Sequence, residues 1–480
     1  AALDRATLGR CDRARMQGEN VMQTLLAAGL DEARVQAWLA ARPQAAGGYA
    51  EDVAHFGQFW RIERELRAML PAKPRRTPAQ QQAAARLLES ARESRRLFTA
   101  AHVAEVYGRI TDGMHKFVRV ERLIYDAARL VPGLCPSEAE VEAERAGKQG
   151  DKDGVEIDQG ILCNAVLARA DIGTHLCHAM LLPRADSLER FAAYDRDGKA
   201  DLEFATVERR GKASYVTLRN PRYLNAEDAA TMAPMEIAVD LALLDPQTQV
   251  CVLRGDYVEH PKYKGRRIFN AGINLTHLYY GKIDYIWYLW RDLGWVNKAM
   301  RGLARPDINP DEAGGDTKEK VWISQVDTFA IGGGCQVLLV CDYNIAGADS
   351  YMTLPARKEG IIPGMANLRL PRFVGDRIAR QAIMYERRLD SDSPEGRMII
   401  DELAPSQDME ATVEEAVQGL SSSGMVSARG NRMALRVGVE PLDTFRRYAA
   451  VYAREQAFCH FSPALIANLE RHWNAQNRKV

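Results

Sequence analysis

The sequence predicts an α/β fold, with a strand-and-helix core bounded by a large helical N-terminal part and by C-terminal helices. Three observations predict it. Residues 1–150 are rich in Ala, Leu, Arg and Glu, and apolar residues recur there at three- and four-residue spacing, as in Phe59, Ile62, Leu66 and Leu70, which is the period of an amphipathic helix. From about residue 202 to about residue 380 short β-rich runs alternate with helical ones, the pattern of an α/β core. From Asp376 onward the chain reads as helical again.

In chain order, Pro71, Pro74 and Pro78 interrupt the first helical run around a basic turn, and a second run extends from Gln80 to about Val131. The polar, glycine-rich stretch Gly147–Gly154 predicts an exposed loop, followed by a helix carrying His175 and His178. Phe204–Glu208 and Ala213–Leu218 flank Arg209-Arg-Gly-Lys212 and read as a β-hairpin. A helix over about Ala226–Leu244 leads into a buried strand at Val250–Leu253. Further strands are expected at Val321–Phe329 and Tyr343–Ala346, with a mixed loop at Ile361–Pro371. Residues 256–320 form a long polar and aromatic insertion between core strands, a length often associated with function or motion. The expected domains are 1–200 (helical), 201–385 (α/β core) and 386–480 (helical, for oligomerisation).

The 480 residues, 46% hydrophobic, suffice for a large core and two or more structural units. Lys+Arg and Asp+Glu each total 64, so no global field draws the chain to nucleic acid or membrane. No apolar run of roughly 18 residues is present, the N-terminus shows no signal-peptide apolar region, and the eight cysteines are scattered singly. A cytoplasmic protein without structural zinc is expected. His175, Cys177 and His178 share a segment, but no fourth ligand is apparent, so packed side chains are preferred over a metal site.

The most informative segment is Ile331-Gly-Gly-Gly-Cys-Gln336. A strand-like run meets three glycines and then an apolar helix start, where amide donors are free and an oxyanion is favoured. Arg266-Arg-Ile-Phe-Asn-Ala-Gly-Ile-Asn-Leu275 supplies a second turn. The N–H of Ile273, after Gly272, and one from Gly332–Gly334 would make a two-donor oxyanion hole, often the largest single catalytic term. Taken singly, each glycine turn reads first as a plain tight turn.

Their order with Arg219-Asn-Pro-Arg-Tyr-Leu-Asn-Ala226 before them and Leu354-Pro-Ala-Arg-Lys-Glu-Gly-Ile-Ile-Pro-Gly364 after them resembles the crotonase (enoyl-CoA hydratase/isomerase) superfamily over about residues 203–385. The resemblance implies a spiral of ββα units, a bound acyl-CoA, and the N–H groups of Ile273 and Gly333 on the thioester oxygen. The departures are as informative. The two catalytic glutamates of the family's hydratases fall at Gln336 and Ala356, and neither residue can act as a base. General acid–base catalysis contributes about 10²–10⁴-fold, so ordinary enoyl hydration is not expected. Glu359 stands at a different place in the motif and is not read as the missing base.

The helical N-terminal half with Gly173–Pro183, the stretch His260–Leu275 and Gln336 extend the resemblance over nearly the whole chain. They are similar to one crotonase branch, the dioxygenases that act on 3,5-dihydroxyphenylacetyl-CoA in glycopeptide-antibiotic biosynthesis. That likeness implies conversion of this thioester and O₂ to 3,5-dihydroxyphenylglyoxylate and CoA with no metal or flavin cofactor. It also implies Glu227, Arg291 and Gln336 at the ring hydroxyls, and homotrimers or homohexamers. Arg222, Lys262, Lys264, Arg266 and Arg267 are candidates for the CoA phosphates, or equally a solvated basic loop. Glu227 reads as readily as a helix-dipole partner, and Arg291 as an ion pair with Asp292. Tyr279, Tyr280, Tyr285, Trp287, Tyr288 and Trp290 would shield the site or simply pack. Two rivals stay open: another crotonase reaction, such as thioester hydrolysis or isomerisation, and a non-catalytic acyl-CoA-binding subunit.

Overall fold

Val250-Cys-Val-Leu253 offers no polar face to water, so a strand there must be covered on both sides. A computed structural model, describing residues 20–308, 313–422 and 424–480, places it in the middle of a sheet. The stretch read for a signal peptide, residues 1–19, lies outside the described residues. The strands are β1 (Lys199–Asp201), β2 (Ala205–Arg210), β3 (Ala213–Leu218), β4 (Val250–Gly255), β5 (Val321–Val326), β6 (Phe329–Ile331), β7 (Tyr343–Gly347), β8 (Tyr351–Thr353), β9 (Leu389–Asp390) and β10 (Glu402–Ala404). The larger sheet runs β1-β2-β3-β4-β5-β7-β10 and the smaller β6-β8-β9.

The hairpin β2–β3 is antiparallel, with Val207 opposite Val216. From β3 to β10 the larger sheet is parallel: Tyr215 meets Val252, Val252 meets Ile323, Ile323 meets Tyr343, and Ile345 meets Glu402. One face is closed by Met409, Val413 and Val417 of the Met409–Ser422 helix, packed on Tyr215, Val252, Ile323 and Ile345. The other face joins the main core with the Ala229–Leu244 helix. Successive strands then alternate between sheets. β5 lies in the larger, β6 in the smaller, and a short helix follows (Gly333–Leu338); β7 and β8 repeat this before the Ala356–Glu359 helix. This is the spiral of ββα units that the motif order implied.

Four local expectations are corrected. The run Val321–Phe329 is not one strand: it turns at Asp327–Thr328, where Thr328 donates to the Arg267 carbonyl at 3.0 Å, and its halves serve different sheets. The segment after Asp376 is not purely helical, because β9 and β10 are too short to show alternation. The 147–154 loop is only partly exposed, with Lys148 and Asp151 toward solvent and Gln149, Lys152 and Gly154 buried. Gln149 and Lys152 are each 2% exposed, Lys152 Nζ donates to the Gly281 carbonyl at 3.0 Å, and Gln149 Nε2 donates to the His460 carbonyl at 2.7 Å. The glycine-rich composition serves packing there, not solvation. Much of the 256–320 insertion is likewise interior, because its Leu275–Tyr279, Ile286–Leu293 and Trp295–Arg301 helices bury Leu278, Leu289, Leu293 and Trp295.

The N-terminal helices include Tyr49–Ala68 and a long Pro78–Ile110 helix, started by a Thr77–Gln80 capping box with Pro at its first position. The C-terminal Leu442–His460 helix packs against Ile157–Ala168 and, through Gln456, accepts the Ile362 N–H at 2.9 Å. It thereby fixes the loop that follows the Ala356–Glu359 helix.

Candidate active site

Gly272 has φ +80°, a left-handed conformation that other residues adopt at a cost. A Cβ there would lie 2.9 Å from the Ile331 carbonyl oxygen and 3.2 Å from the Gly333 nitrogen, so glycine is what lets the two turns touch. Parallel bridges on both sides hold the contact. Glu227 N–H donates to the Gly272 carbonyl and Asn274 N–H to the Glu227 carbonyl, both at 2.7 Å, and Ile331 N–H donates to the Asn270 carbonyl at 3.0 Å. The amides of Ile273 and Gly333 stand between these bonds, and among the described residues neither donates to any acceptor. Gly333 is the first residue of its helix, where an N–H has no partner within the helix. Ile273 and Gly333 line the same inner cavity.

The structure brings together the three residues expected at the substrate ring: Arg291 and Gln336 line that cavity, and Glu227 is bound to Arg291. Arg291, 2% exposed, donates from Nε and Nη2 to the two oxygens of Glu227, each at 2.7 Å. Its Nη1 donates to Gln336 Oε1 and to Asp292 Oδ1, both at 2.9 Å, and Nη2 also reaches the Gly333 carbonyl at 3.0 Å. Asn270 Nδ2 adds a bond to Glu227 Oε1 at 2.8 Å. Arg291 therefore makes its ion pair with Asp292 as the plain reading had it, and pairs with Glu227 as well. Burial would lower the Arg291 pKa, but Glu227 and then Asp292 outweigh it and the pKa is raised. Burial raises that of Asp292 against the pull of Arg291. Gln336 presents no proton-transfer group, and Ala356, which the resemblance matches to a hydratase carboxylate, lines the cavity with a methyl.

The aromatic run divides. Trp287 and Tyr288 line the cavity, with Leu354, Pro355, Ile361, Ile362 and Pro363 as apolar neighbours. The others pack: Tyr285 donates to the Ala453 carbonyl at 2.6 Å, Tyr279 to Glu470 at 2.8 Å, Tyr280 to the Arg478 carbonyl at 2.8 Å and Trp290 to Glu236 at 2.6 Å.

A larger groove opens outward from the cavity and is lined by Arg222, Tyr223, His260, Tyr263, Lys358 and Trp473 among others. Of the five basic candidates only Arg222 lines it, while Lys262 and Lys264 are exposed on the adjoining loop. Arg266 is turned to Asp349 at 2.7 Å, and Arg267 is buried against Glu410 at 3.3 Å and the Gly255 carbonyl at 3.3 Å. His175 meets the Tyr107 hydroxyl at 2.8 Å and stacks on Phe117, and His178 meets the Arg305 carbonyl at 2.9 Å, so both are engaged in packing.

Two wall residues were not among the site residues expected from the sequence. Tyr452 comes from the C-terminal Leu442–His460 helix, with its hydroxyl beside Asp292. Glu359 is 9% exposed and lines both the cavity and the groove. Only the position of Glu359, one helical turn after Ala356, could have flagged it.

Comparison with known proteins gives the family. The chain is 44% identical over 406 residues to the (3,5-dihydroxyphenyl)acetyl-CoA 1,2-dioxygenase of Amycolatopsis orientalis, covering 84% of this chain and 92% of that one. This chain belongs to the crotonase superfamily, in the branch of that dioxygenase. The family described as enoyl-CoA hydratase/isomerase matches residues 316–462. A more distant crotonase, the short-chain-enoyl-CoA hydratase of Clostridium acetobutylicum, is 25% identical over 242 residues, 50% of this chain and 84% of its own. A solved enoyl-CoA hydratase from Mycobacterium avium subsp. paratuberculosis K-10 superposes with a TM-score of 0.46 at 19% identity, over 56% of this chain and 98% of that one. Among the described residues no helix is long and apolar enough to cross a membrane, and no group of three or more His, Cys, Asp or Glu is placed to hold a metal ion.

Proposed function

We propose that this crotonase is a dioxygenase that converts 3,5-dihydroxyphenylacetyl-CoA and O₂ to 3,5-dihydroxyphenylglyoxylate and CoA without a metal or flavin. One observation carries the reading beyond the relative's name. Two uncommitted amides, Ile273 and Gly333, share a cavity with Arg291 and Gln336, Arg291 being held in turn by Glu227, and both hydratase carboxylate positions are occupied by groups that cannot take a proton.

The Cα–H of an arylacetyl thioester is flanked by the carbonyl and the ring, so its carbanion is delocalised both ways. The two amides hold the enolate oxygen, where donors count most. Glu227, Arg291 and Gln336 serve the ring hydroxyls. The enolate passes one electron to O₂, and radical recombination places a peroxide on Cα. Attack of the peroxide on the thioester carbonyl expels CoA thiolate, and loss of the second Cα proton with O–O cleavage leaves the α-keto acid. The first Cα proton accounts for the thiol of CoA, and both oxygen atoms of O₂ enter the product. The apolar wall from Leu354 to Pro363 suits O₂ and keeps water from the thioester.

The proposal extends to the groove as the CoA site, with Arg222, Lys262 and Lys264 toward the phosphates, and Arg266 and Arg267 beside them once they exchange their carboxylate partners. It extends also to a cytoplasmic homotrimer or homohexamer serving dihydroxyphenylglycine-containing antibiotic synthesis. The exposed Val426, Leu435 and Val437 of the Met425–Val439 helix support an assembly. The test follows oxygen with an electrode while metal-stripped protein turns over 3,5-dihydroxyphenylacetyl-CoA. One O₂ per CoA released is expected. CoA release without oxygen uptake would mean a thioesterase, and neither would mean a binding subunit.

A further inference from the structure

The inner cavity and the outer groove share three residues, Ile273, Pro355 and Glu359. On the functional reading above, on which this inference rests, the ring occupies the cavity and the CoA arm the groove. The thioester and its Cα then straddle the junction. Of the three junction residues one supplies an amide, one a ring without a donor, and one a carboxyl group. We infer that Glu359 is the general base that removes the Cα proton.

Its position on the backbone explains why the motif hides it. Ala356 and Glu359 are the first and last residues of a one-turn helix, three positions apart, so they share a face. The carboxyl group absent from 356 is delivered to the same wall one turn later. Among the described residues the Glu359 carboxyl makes no hydrogen bond or ion pair, unlike Glu227 and Asp292, whose oxygens are tied to Arg291. Glu359 is thus the carboxyl on the cavity wall without a fixed partner. The charged and titratable groups around it are Glu386 at the end of the Ala366–Tyr385 helix, itself paired with Lys358 at 2.9 Å, then Tyr288, Tyr452 and the Arg291–Asp292 pair across the cavity, and His472 and Arg478 on the groove. Burial, and then the neighbouring Glu386, push the Glu359 pKa up to about 7. A base poised near neutrality takes a proton effectively while still ionising.

The step balances within the site. Glu359 takes H⁺ from Cα, the C–H electron pair becomes the Cα=C bond, and the carbonyl oxygen becomes the enolate oxyanion on Ile273 and Gly333. No oxidant is needed for it, so it can be isolated from O₂ chemistry. Protein and 3,5-dihydroxyphenylacetyl-CoA are mixed in D₂O without oxygen, and Cα deuteration is followed by mass spectrometry. Wild-type protein is expected to exchange, with a rate that rises with pH through about 7. E359Q should exchange at least about 100-fold more slowly while its Kd for the thioester stays within about threefold and its melting temperature is kept. E359D should keep an intermediate rate. E386Q, which removes the nearby charge, should move the rising limb to lower pH.

Wild-type exchange rates in E359Q would overturn the assignment, as would equal loss of binding, folding and exchange in both E359Q and E359D, the outcome of a structural role. Failure of the dioxygenase reading looks different. Wild-type exchange that depends on Glu359, without O₂ uptake in air, keeps the base and removes the oxygenase, whereas a wild type that neither exchanges nor consumes O₂ overturns both.

Discussion

The two ends of the inner cavity are built in opposite ways. At the closed end every charge is already answered: Glu227 is held by the Nε–Nη2 edge of Arg291, and Nη1 of Arg291 is shared by Asp292 and Gln336. Toward the groove the polar groups are uncommitted: the Ile273 amide and the Glu359 carboxyl group at the junction itself, and the Gly333 amide on the cavity wall. On the proposed function, the difference assigns recognition to one end and reaction to the other. A buried, mutually satisfied cluster is rigid and discriminates by shape and hydrogen bonding, because a substrate lacking its hydroxyl leaves polar groups poorly matched. Groups that must bind a charge arising only during reaction are best left unpaired beforehand.

The largest way to break the closed end is Arg291→Ala. It strands Glu227 and Asp292 without their common cation in a buried site, and removing one partner of such a cluster costs about 3–5 kcal/mol. A fall of that size in unfolding free energy by urea titration is expected, with turnover lost alongside. Arg291→Lys should recover part of the stability but not the bidentate geometry, because an ammonium cannot meet both Glu227 oxygens in one plane.

Gln336→Ala acts on recognition more than on folding. It removes one acceptor of the Arg291 Nη1 proton and opens no charge. A neutral side-chain hydrogen bond is worth about 0.5–1.5 kcal/mol, so preference for the dihydroxy over the unsubstituted phenylacetyl thioester should fall by about three- to tenfold in kcat/KM. Equal losses on both substrates would remove Gln336 from ring recognition and leave it as support for Arg291.

How much of this was legible depended on what forces each residue. The glycine turns at Gly272 and Gly332–Gly334 could be read because backbone meets backbone there, and a side chain at Gly272 would collide with Ile331 and Gly333. The parallel strands could be read because burial on both faces leaves unbroken apolar runs such as β4. Pairings that rest on distant partners could not be read. Tyr452 reaches the cavity from a helix 160 positions beyond Asp292, and nothing local in the sequence marks that docking. β10 is three residues long and exists through its register with β7. Glu359 was visible as a letter but not as a wall residue, because a motif compares positions while a helix turn equates position 356 with position 359.

The smallest effects belong to the groove and sharpen the comparison from outside. Arg222, Lys262 and Lys264 are exposed, so each works in water and under salt screening. Single changes to Ala should raise KM for the CoA ester by about two- to fivefold, the scale of an exposed ion pair, and the effect should shrink as ionic strength rises. Arg267 is the control within the same loop. Its charge is already placed between Glu410 and the Gly255 carbonyl, over the Tyr257 ring at 4.2 Å. Arg267→Ala should therefore lower the melting temperature more than the Lys262 or Lys264 change does, with a smaller dependence on salt. If Arg267→Ala instead raises KM in the salt-dependent manner of Lys262, the ester must draw it away from Glu410 on binding, and the outer groove would rearrange where the inner end holds still.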